Sequence, residues 1–329
     1  MRGLPGHIVT LVLSRKLEYL LALAKERHFA RAAAACHVSQ PTLSAAIQQL
    51  EAELGVPMVK RGQRFQGLTK QGQLVVEAAQ RMANERDRLC EQLRGQRDDL
   101  SGTLRIGVLG STVPLLKSFT LPFKRSFPRV NLDIMAQSPF DIQQALEASS
   151  LDVAITYSDQ RLRRHCRTQI LYTEQYDLLV RRGSAFSGQR SVSWEDLNQL
   201  PLCLFSPESP IFGAWESEVL REILSKTPHI TTNAIWLVMD HVRTGQWASV
   251  LPRPVRIMAA GSGDLETIPL PVTAKASSVA IAISNREAVA PVANAFFELA
   301  ISGEVRGMLE SQLGCIETGR VRTRLQRTG

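Results

Sequence analysis

One stretch, Ser39 to Leu54, constrains this chain more than any other. Leu43, Ile47, Leu50 and Leu54 recur at helical spacing and form one apolar seam. Ser39 is placed to cap the free N–H groups of the first turn, where Pro41 is tolerated. At about 100° per residue, Pro41, Ala45 and Gln48 point away from the seam, with Gln40 and Ser44 beside them. A helix packed on one side, with short polar and small side chains on the other, suits insertion into the DNA major groove.

The flanking residues support a helix-turn-helix. Leu17, Leu20, Leu21 and Ala24 make the stripe of an earlier helix. Phe29 anchors a segment from Ala30 to Cys36 in which Ala32 to Ala35 permit close helix approach. His37-Val38 joins it to Ser39, and Leu54-Gly55-Val56-Pro57 is a stop signal. The segment from Val59 to Thr69 then carries Lys60, Arg61 and Arg64 among glycines, a pattern for a short wing whose cations meet phosphate. The plainer alternative is a three-helix core with a solvated basic loop.

The region resembles the N-terminal domain of the LysR-type transcriptional regulators. The resemblance rests on Phe29-Ala30-Arg31-Ala32-Ala33-Ala34, Val38-Ser39-Gln40-Pro41-Thr42-Leu43-Ser44, Ile47-Gln48-Gln49-Leu50-Glu51 and Leu54-Gly55-Val56-Pro57, and continues through Lys60-Arg61 and Leu68-Thr69-Lys70-Gln71-Gly72. It implies groove contacts from Gln40, Pro41 and Ser44, and contacts to the DNA backbone from Arg61 and Arg64. Arg31, Ser39, Thr42 and Gln48 complete the candidate DNA-binding set. Ala45 departs from the arginine that is frequent in the family, and alanine can touch a thymine methyl but cannot fork onto guanine.

Charge is distributed to match. The formal net charge of +8 concentrates at the ends, with ten Lys/Arg against four Asp/Glu in residues 1–70 and four Arg against one Glu in residues 315–329. A basic front joined to a near-neutral body fits a nucleic-acid-binding head on a separate sensing body. Ile8 to Leu13 is too short to span a bilayer, so the expected location is the cytoplasm, without a membrane anchor. The five cysteines, Cys36, Cys90, Cys166, Cys203 and Cys315, form no Cys-x-x-Cys pair, and the histidines show no i, i+4 pair, so no metal site and no cofactor is expected. Cys203 fits a buried small hydrophobe. Arg163, Arg164, His165 and Arg167 flank Cys166 and would lower its pKa if they also surrounded it in space, although a reduced bystander is the simpler reading.

Thr69 opens a long helix with Leu74, Val75, Ala78, Ala79, Met82, Leu89 and Leu93 on its seam, running to about Leu100. A helix projecting from a small head cannot bury such a seam alone, and pairing with a second copy is the economical solution; packing on its own body is the alternative. The resemblance implies the same dimerising linker, and homotetramers from pairs of dimers.

From Thr103 the pattern alternates strand and helix, which argues for an α/β body with a mostly parallel sheet. The last elements, Val279 to Ile283 and a helix from about Val289 to Ile301, could rejoin the first unit and make two lobes crossed twice by the chain. The resemblance implies the two-lobed, periplasmic-binding-protein-like sensing domain of the family, carried by Leu151-Asp152-Val153-Ala154-Ile155 and by Val242-Arg243-Thr244-Gly245 through Val250-Leu251-Pro252. The expected organisation is therefore a winged helix-turn-helix over 1–69 with 1–14 as an extension, a linker helix over 70–100, and an effector domain over 101–301. Its lobe I would cover about 103–160 and 269–301 and lobe II about 161–268, followed by a basic, disordered tail over 302–329.

Open parallel sheets bind ligands outside the carboxyl ends of their strands. That places Ser111 and Thr112, Ser138 and Phe140, and from the other lobe Phe205 and Ser206, as candidate effector contacts, with an anion favoured. Each hydroxyl could equally be an ordinary helix cap. An enzyme is the chief rival class, but the chain has no Gly-x-Ser-x-Gly elbow, no phosphate-binding Gly-x-x-x-x-Gly-Lys-Ser/Thr loop and no evident catalytic set. A transport binding protein would not need the basic head. The expected function is a ligand-responsive regulator that binds double-stranded promoter DNA, with the transcription machinery as a further candidate partner.

Overall fold

The computed structural model describes residues 14–60, 65–94, 100–193, 195–206, 229–261, 263–271, 277–285 and 289–314, without the side chains from 87 to 94 and those of Gln199 and His229. Ile8 to Leu13, the side chains of Leu89 and Leu93, the expected helix from Phe212 to Ser225 and the residues from Cys315 onward lie outside the described residues.

Three helices build the head: α1 (Arg15–Glu26), α2 (Phe29–Ala35) and α3 (Gln40–Leu54). Ala32 and Ala33 are fully buried, and their small side chains let α2 lie close against α1 and α3. His37 takes a φ of 55°, and the Val38 N–H returns to the Ala33 carbonyl at 3.0 Å, making the tight turn. Ser39 caps α3 by accepting from the Thr42 N–H, and Gly55 ends it at a φ of 68°. Leu43, Ile47 and Leu50 are buried in the head with Leu20, Leu23 and Met58. Full burial of each such side chain stabilises by roughly 1.5–3 kcal/mol. Leu54, expected on the same seam, is 51% exposed, because the apolar contacts end at Leu50 and the chain turns away at Gly55.

The linker helix α4 (Lys70–Arg94) starts at a Thr69 cap, whose hydroxyl accepts from the Gly72 N–H at 2.9 Å. Val75 and Val76 pack on the head. Gly72 is required there, since a Cβ would stand 2.1 Å from the Met58 carbonyl oxygen. Further along, Asn84 is buried and donates to the Ser149 carbonyl at 2.6 Å. One flank of α4 therefore rests on its own body, the arrangement ranked below pairing from sequence. Leu74 and Met82 nevertheless stay 65% and 49% exposed, so part of the seam is left uncovered by the described chain.

The first lobe begins with β1 (Gly102–Val108), α5 (Lys117–Ser126), β2 (Val130–Ala136), α6 (Pro139–Glu147), β3 (Val153–Tyr157), α7 (Gln160–His165) and β4 (Cys166–Thr173). The second contains β5 (Tyr176–Arg181), β6 (Leu202–Phe205), β7 (His229–Thr232), α8 (Ile235–Arg243), β8 (Ser249–Pro252), α9 (Arg256–Ala260) and β9 (Leu265–Pro269). The chain then returns through β10 (Ser278–Ser284), α10 (Pro291–Ala300) and α11 (Gly303–Leu313). Lobe I is a five-stranded sheet ordered β2-β1-β3-β10-β4, parallel except for β10, which is antiparallel to both neighbours. Lobe II is mixed and not mostly parallel: β5 lies antiparallel between β8 and β9, while β6 and β7 pair parallel.

Two expected boundaries move. β4 belongs to lobe I, so lobe I extends to Thr173 and not to about 160; its register with β10, from Ser278 against Thr173 to Ser284 against Cys166, decides this. The segment after Ser302 is not a disordered tail throughout, since α11 buries Val305, Leu309 and Leu313 in the lobe I core. Its last turn is tied to lobe II, because the Arg256 guanidinium donates to the Gln312 carbonyl at 2.7 and 3.2 Å.

Gly72→Ala should cost roughly 1–3 kcal/mol through overpacking against the Met58 backbone, visible as a lower thermal midpoint of the head. An unchanged midpoint would mean that α4 can draw back from the head freely.

Candidate nucleic-acid interface and effector cleft

The exposed side of α3 carries the expected residues. Gln40, Pro41, Thr42, Ala45 and Gln48 are exposed, and Ser44 is half-buried beside them. The Ser39 hydroxyl caps the helix and shares a 2.7 Å hydrogen bond with the Thr42 hydroxyl, so these two are engaged with each other. Arg31 is exposed on α2 and donates to the Glu26 carbonyl at 2.6 Å, which aims its guanidinium along the end of α1. The wing is present at its base: Val59 bridges Leu68, the Lys60 N–H meets the Gly67 carbonyl at 3.0 Å, and Phe65 packs edge-on against Phe29 at 6.3 Å. Arg61 and Arg64 lie outside the described residues. The sequence reading gave no separate role to Glu51, whose carboxylate accepts from the Met58 and Val59 N–H groups at 2.6 and 2.9 Å.

The six candidate effector residues separate into different environments. Ser111 and Thr112 follow β1, and Ser138 and Phe140 follow its neighbour β2, so both pairs sit at one end of the lobe I sheet. Ser138 is a helix cap: its oxygen accepts from the Asp141 N–H at 3.0 Å and its hydroxyl donates to the Asp141 carboxylate at 2.7 Å. Thr112 donates to the Leu109 carbonyl at 2.8 Å. Phe140 is 59% exposed. Phe205 is fully buried in the lobe II core, which leaves it a structural role there, and the Ser206 N–H is bonded to the Thr232 carbonyl at 2.9 Å.

Ser111 differs from the other hydroxyls. It is buried and caps no helix, and its hydroxyl lies beside the Glu174 carboxyl. It lies in the turn Gly110–Leu115, which packs against Arg253–Val255 of lobe II. Arg253 secures that cover by donating to Asp177 at 3.0 Å and to the Gln175 side chain. Behind Ser111 stands Glu174, 1% exposed, between β4 and β5 where the chain crosses from one lobe to the other. The Tyr157 hydroxyl donates to one carboxyl oxygen of Glu174.

Burial pushes the Glu174 pKa up, and the Tyr157, Ser111 and Tyr176 hydroxyls beside it offset only part of that. Burial, then the Glu174 charge, drives Tyr157 and Tyr172 well above the usual phenol range. Asp177 is also raised, since its burial outweighs the pull of Arg253. A protonated Glu174 can donate to a polar ligand where an ionised one would repel an anion. No sequence motif marked this acid; the signal that could have found it is a carboxylate between Tyr172 and Tyr176 at the junction of two apolar strands.

The thiols behave otherwise than their sequence neighbours suggested. The Cys166 pKa is pushed up to about 11, first by burial and then by Glu147 and Asp159. The cations adjacent in sequence do not lower it, because proximity along the chain is not proximity in space. Burial also raises Cys36, with a smaller push from Glu18, and Cys203. Cys315 and the side chain of Cys90 lie outside the described residues.

Two family models match the chain. The bacterial regulatory helix-turn-helix model of the lysR family matches residues 14–73, and the LysR substrate binding domain matches residues 97–303. A hydrogen peroxide-inducible genes activator from Dickeya chrysanthemi is 35% identical over 239 residues, covering 72% of this chain and 78% of that protein. Among solved structures, a full-length OxyR variant from Pseudomonas aeruginosa aligns with a TM-score of 0.63 at 27% identity, over 90% of this chain and 93% of that one. Full-length CbnR in complex with its target DNA aligns with a TM-score of 0.66 at 23% identity, over 89% and 99%, and so shares the fold.

The Glu174 acid gives a pH signature. Its folded pKa lies above the unfolded value near 4.5, so its protonated form contributes fully below that value, and this stability is lost as pH rises through the folded pKa. Glu174→Gln should remove the loss, so the thermal midpoint of the variant should gain on wild type as pH rises above 4.5. Parallel midpoint curves for the two proteins would refute the shift.

Proposed function

The chain belongs to the LysR family of DNA-binding transcriptional regulators, and from that premise we propose which residues do the work. The observation that carries the DNA half is the two-sided α3, with Leu43, Ile47 and Leu50 buried and Gln40, Pro41, Thr42, Ala45 and Gln48 presented outward. Two heads held by paired linker helices read two half-sites of a quasi-symmetric operator in the major groove. Gln40 and Ser44 contact bases, and Arg31 with Arg61 and Arg64 of the wing meets phosphates. The exposed Leu74 and Met82 are offered to the second copy of the helix, and dimers pair into tetramers. The target is promoter DNA, so the protein works in the cytoplasm; among the described residues no helix is long and apolar enough to cross a membrane.

The effector is a small polar molecule bound between the lobes, touching Ser111 and the mouth formed by Ser138, Phe140 and Ser206. Beside Ser111 stands the buried Glu174 carboxyl, whose pKa burial raises and whose charged form would disfavour an anion. The peroxide signal named for the Dickeya relative is not carried over. Reaction with peroxide needs a thiolate, and among the described residues burial raises the pKa of each thiol, Cys36, Cys166 and Cys203. The protein is a regulator and not a catalyst, in keeping with the lack of any nucleophile elbow or phosphate loop in its sequence.

A gel shift over a salt series tests the DNA half. Gln40→Ala should lose about 1–3 kcal/mol of discrimination between operator and random duplex; equal weakening on both would remove Gln40 from base readout. Ser111→Ala should abolish the effector-induced change in the operator footprint while leaving affinity for DNA intact, and a retained response would move the pocket elsewhere.

A further inference from the structure

Three elements of the head meet at one peptide unit. The N–H groups of Met58 and Val59 both donate to one oxygen of Glu51, near the end of α3. The Met58 carbonyl accepts from the Thr69 N–H at 2.9 Å. The Thr69 hydroxyl donates to the Pro57 carbonyl at 2.6 Å while capping the first turn of α4. The Met58 side chain is fully buried with Leu20 and Leu50, and Gly72 of α4 rests directly on its carbonyl. One residue further, Val59 begins the wing. The reading helix, the wing and the linker helix therefore share a single backbone anchor, held by hydrogen bonds to a carboxylate on one side and a threonine on the other.

We propose that Glu51 and Thr69 are positioning residues that lock α3, the wing and α4 into one rigid body through the backbone of Met58. A turn of the linker helix then re-aims the reading helix and is not absorbed at a joint. The inference rests on the assignment of α3 as the base-contacting helix. Geometry shows why stiffness matters here. At 1.5 Å per residue, the 25 residues of α4 are about 37 Å long. A slack of about 5° at the joint would displace the far end by roughly 3 Å, close to the 3.4 Å step between base pairs. A loose joint would cost the dimer its register on two half-sites, while a rigid one lets linker geometry set half-site spacing.

The test uses the full-length protein and the duplex that wild type itself selects from a random pool, in one-half-site and two-half-site versions. For Thr69→Val, affinity for one half-site should stay within about threefold of wild type, while the added affinity conferred by the second half-site should fall about tenfold or more. Thr69→Ser should restore it. For Glu51→Ala, the salt dependence on one half-site should become shallower by about one phosphate contact as the wing loosens. Glu51→Gln, which keeps an accepting oxygen, should restore the slope. Equal loss on both duplexes, an unchanged slope, or failure of either conservative variant to rescue would overturn the proposal. Should an alanine or valine variant not fold, hydrogen exchange on wild type decides. The amides of Met58, Val59 and Thr69 should exchange as slowly as the core of α3, and exchange at loop rates overturns the lock. A wild-type protein that selects no duplex would instead bring down the DNA-reading assignment itself.

Discussion

One strand makes the sensing body possible. β10 lies antiparallel between β3 and β4, pairing Ile281 with Ile155 on one side and with Gln169 on the other, across more than a hundred residues of intervening chain. Its Val279 to Ile283 are buried throughout, which offsets the entropy of closing so long a loop. Because β4 leaves lobe I toward lobe II and β10 returns, the chain must cross twice at one edge. The crossings are bonded to each other where the Glu174 N–H meets the Ser277 carbonyl at 2.8 Å. Without that insertion there would be two separate α/β units.

The head was legible from sequence because its information is local. Caps, a proline in the first turn, a terminating glycine and an apolar spacing within sixteen residues are each short-range signals, and Ser39, Pro41, Gly55 and Leu43 to Leu50 sit where those signals put them. The body was legible as alternating α/β and less so in its boundaries. β4 reads as the start of the second lobe because it follows α7 in the chain; only its long-range pairing with β10 assigns it to the first. α11 has few apolar residues, and its order comes from a groove on lobe I and from Arg256, neither of which its own sequence announces. Cys166 fits the reduced bystander: burial, then Glu147 and Asp159, raise its pKa, and its sequence neighbours Arg163 and Arg164 in α7 and Arg167 in β4 do not offset this.

The cleft residues show how structure separates readings that sequence leaves level. A serine after a strand can be a cap or a contact. Ser138 spends its oxygen on the Asp141 N–H and its proton on the Asp141 carboxylate, and Thr112 donates to Leu109. Ser111 does neither; its hydroxyl lies beside the Glu174 carboxyl and, with those of Tyr157 and Tyr176, favours that group's charged form against the effect of burial. The buried hydroxyl of Ser111 and the buried acid therefore form one polar cluster where the chain passes between the lobes.

The same lobe carries contacts from the cleft to the head. α6 starts at the Ser138 cap, and its far end leads into Ser149, a buried residue at a φ of 58°. The Ser149 carbonyl accepts from Asn84 in the middle of α4, and α4 begins at the Thr69 cap on the head. At about 1.5 Å per residue, the nine residues of α6 span about 13 Å, with no loop between the Ser138 cap and its far end. Contiguity alone does not make coupling. A ligand shifts the balance between two arrangements only by binding them unequally. Ser111 lies in the turn that packs against Arg253–Val255 of lobe II, so the contact proposed there is one that a change in how the lobes meet would alter.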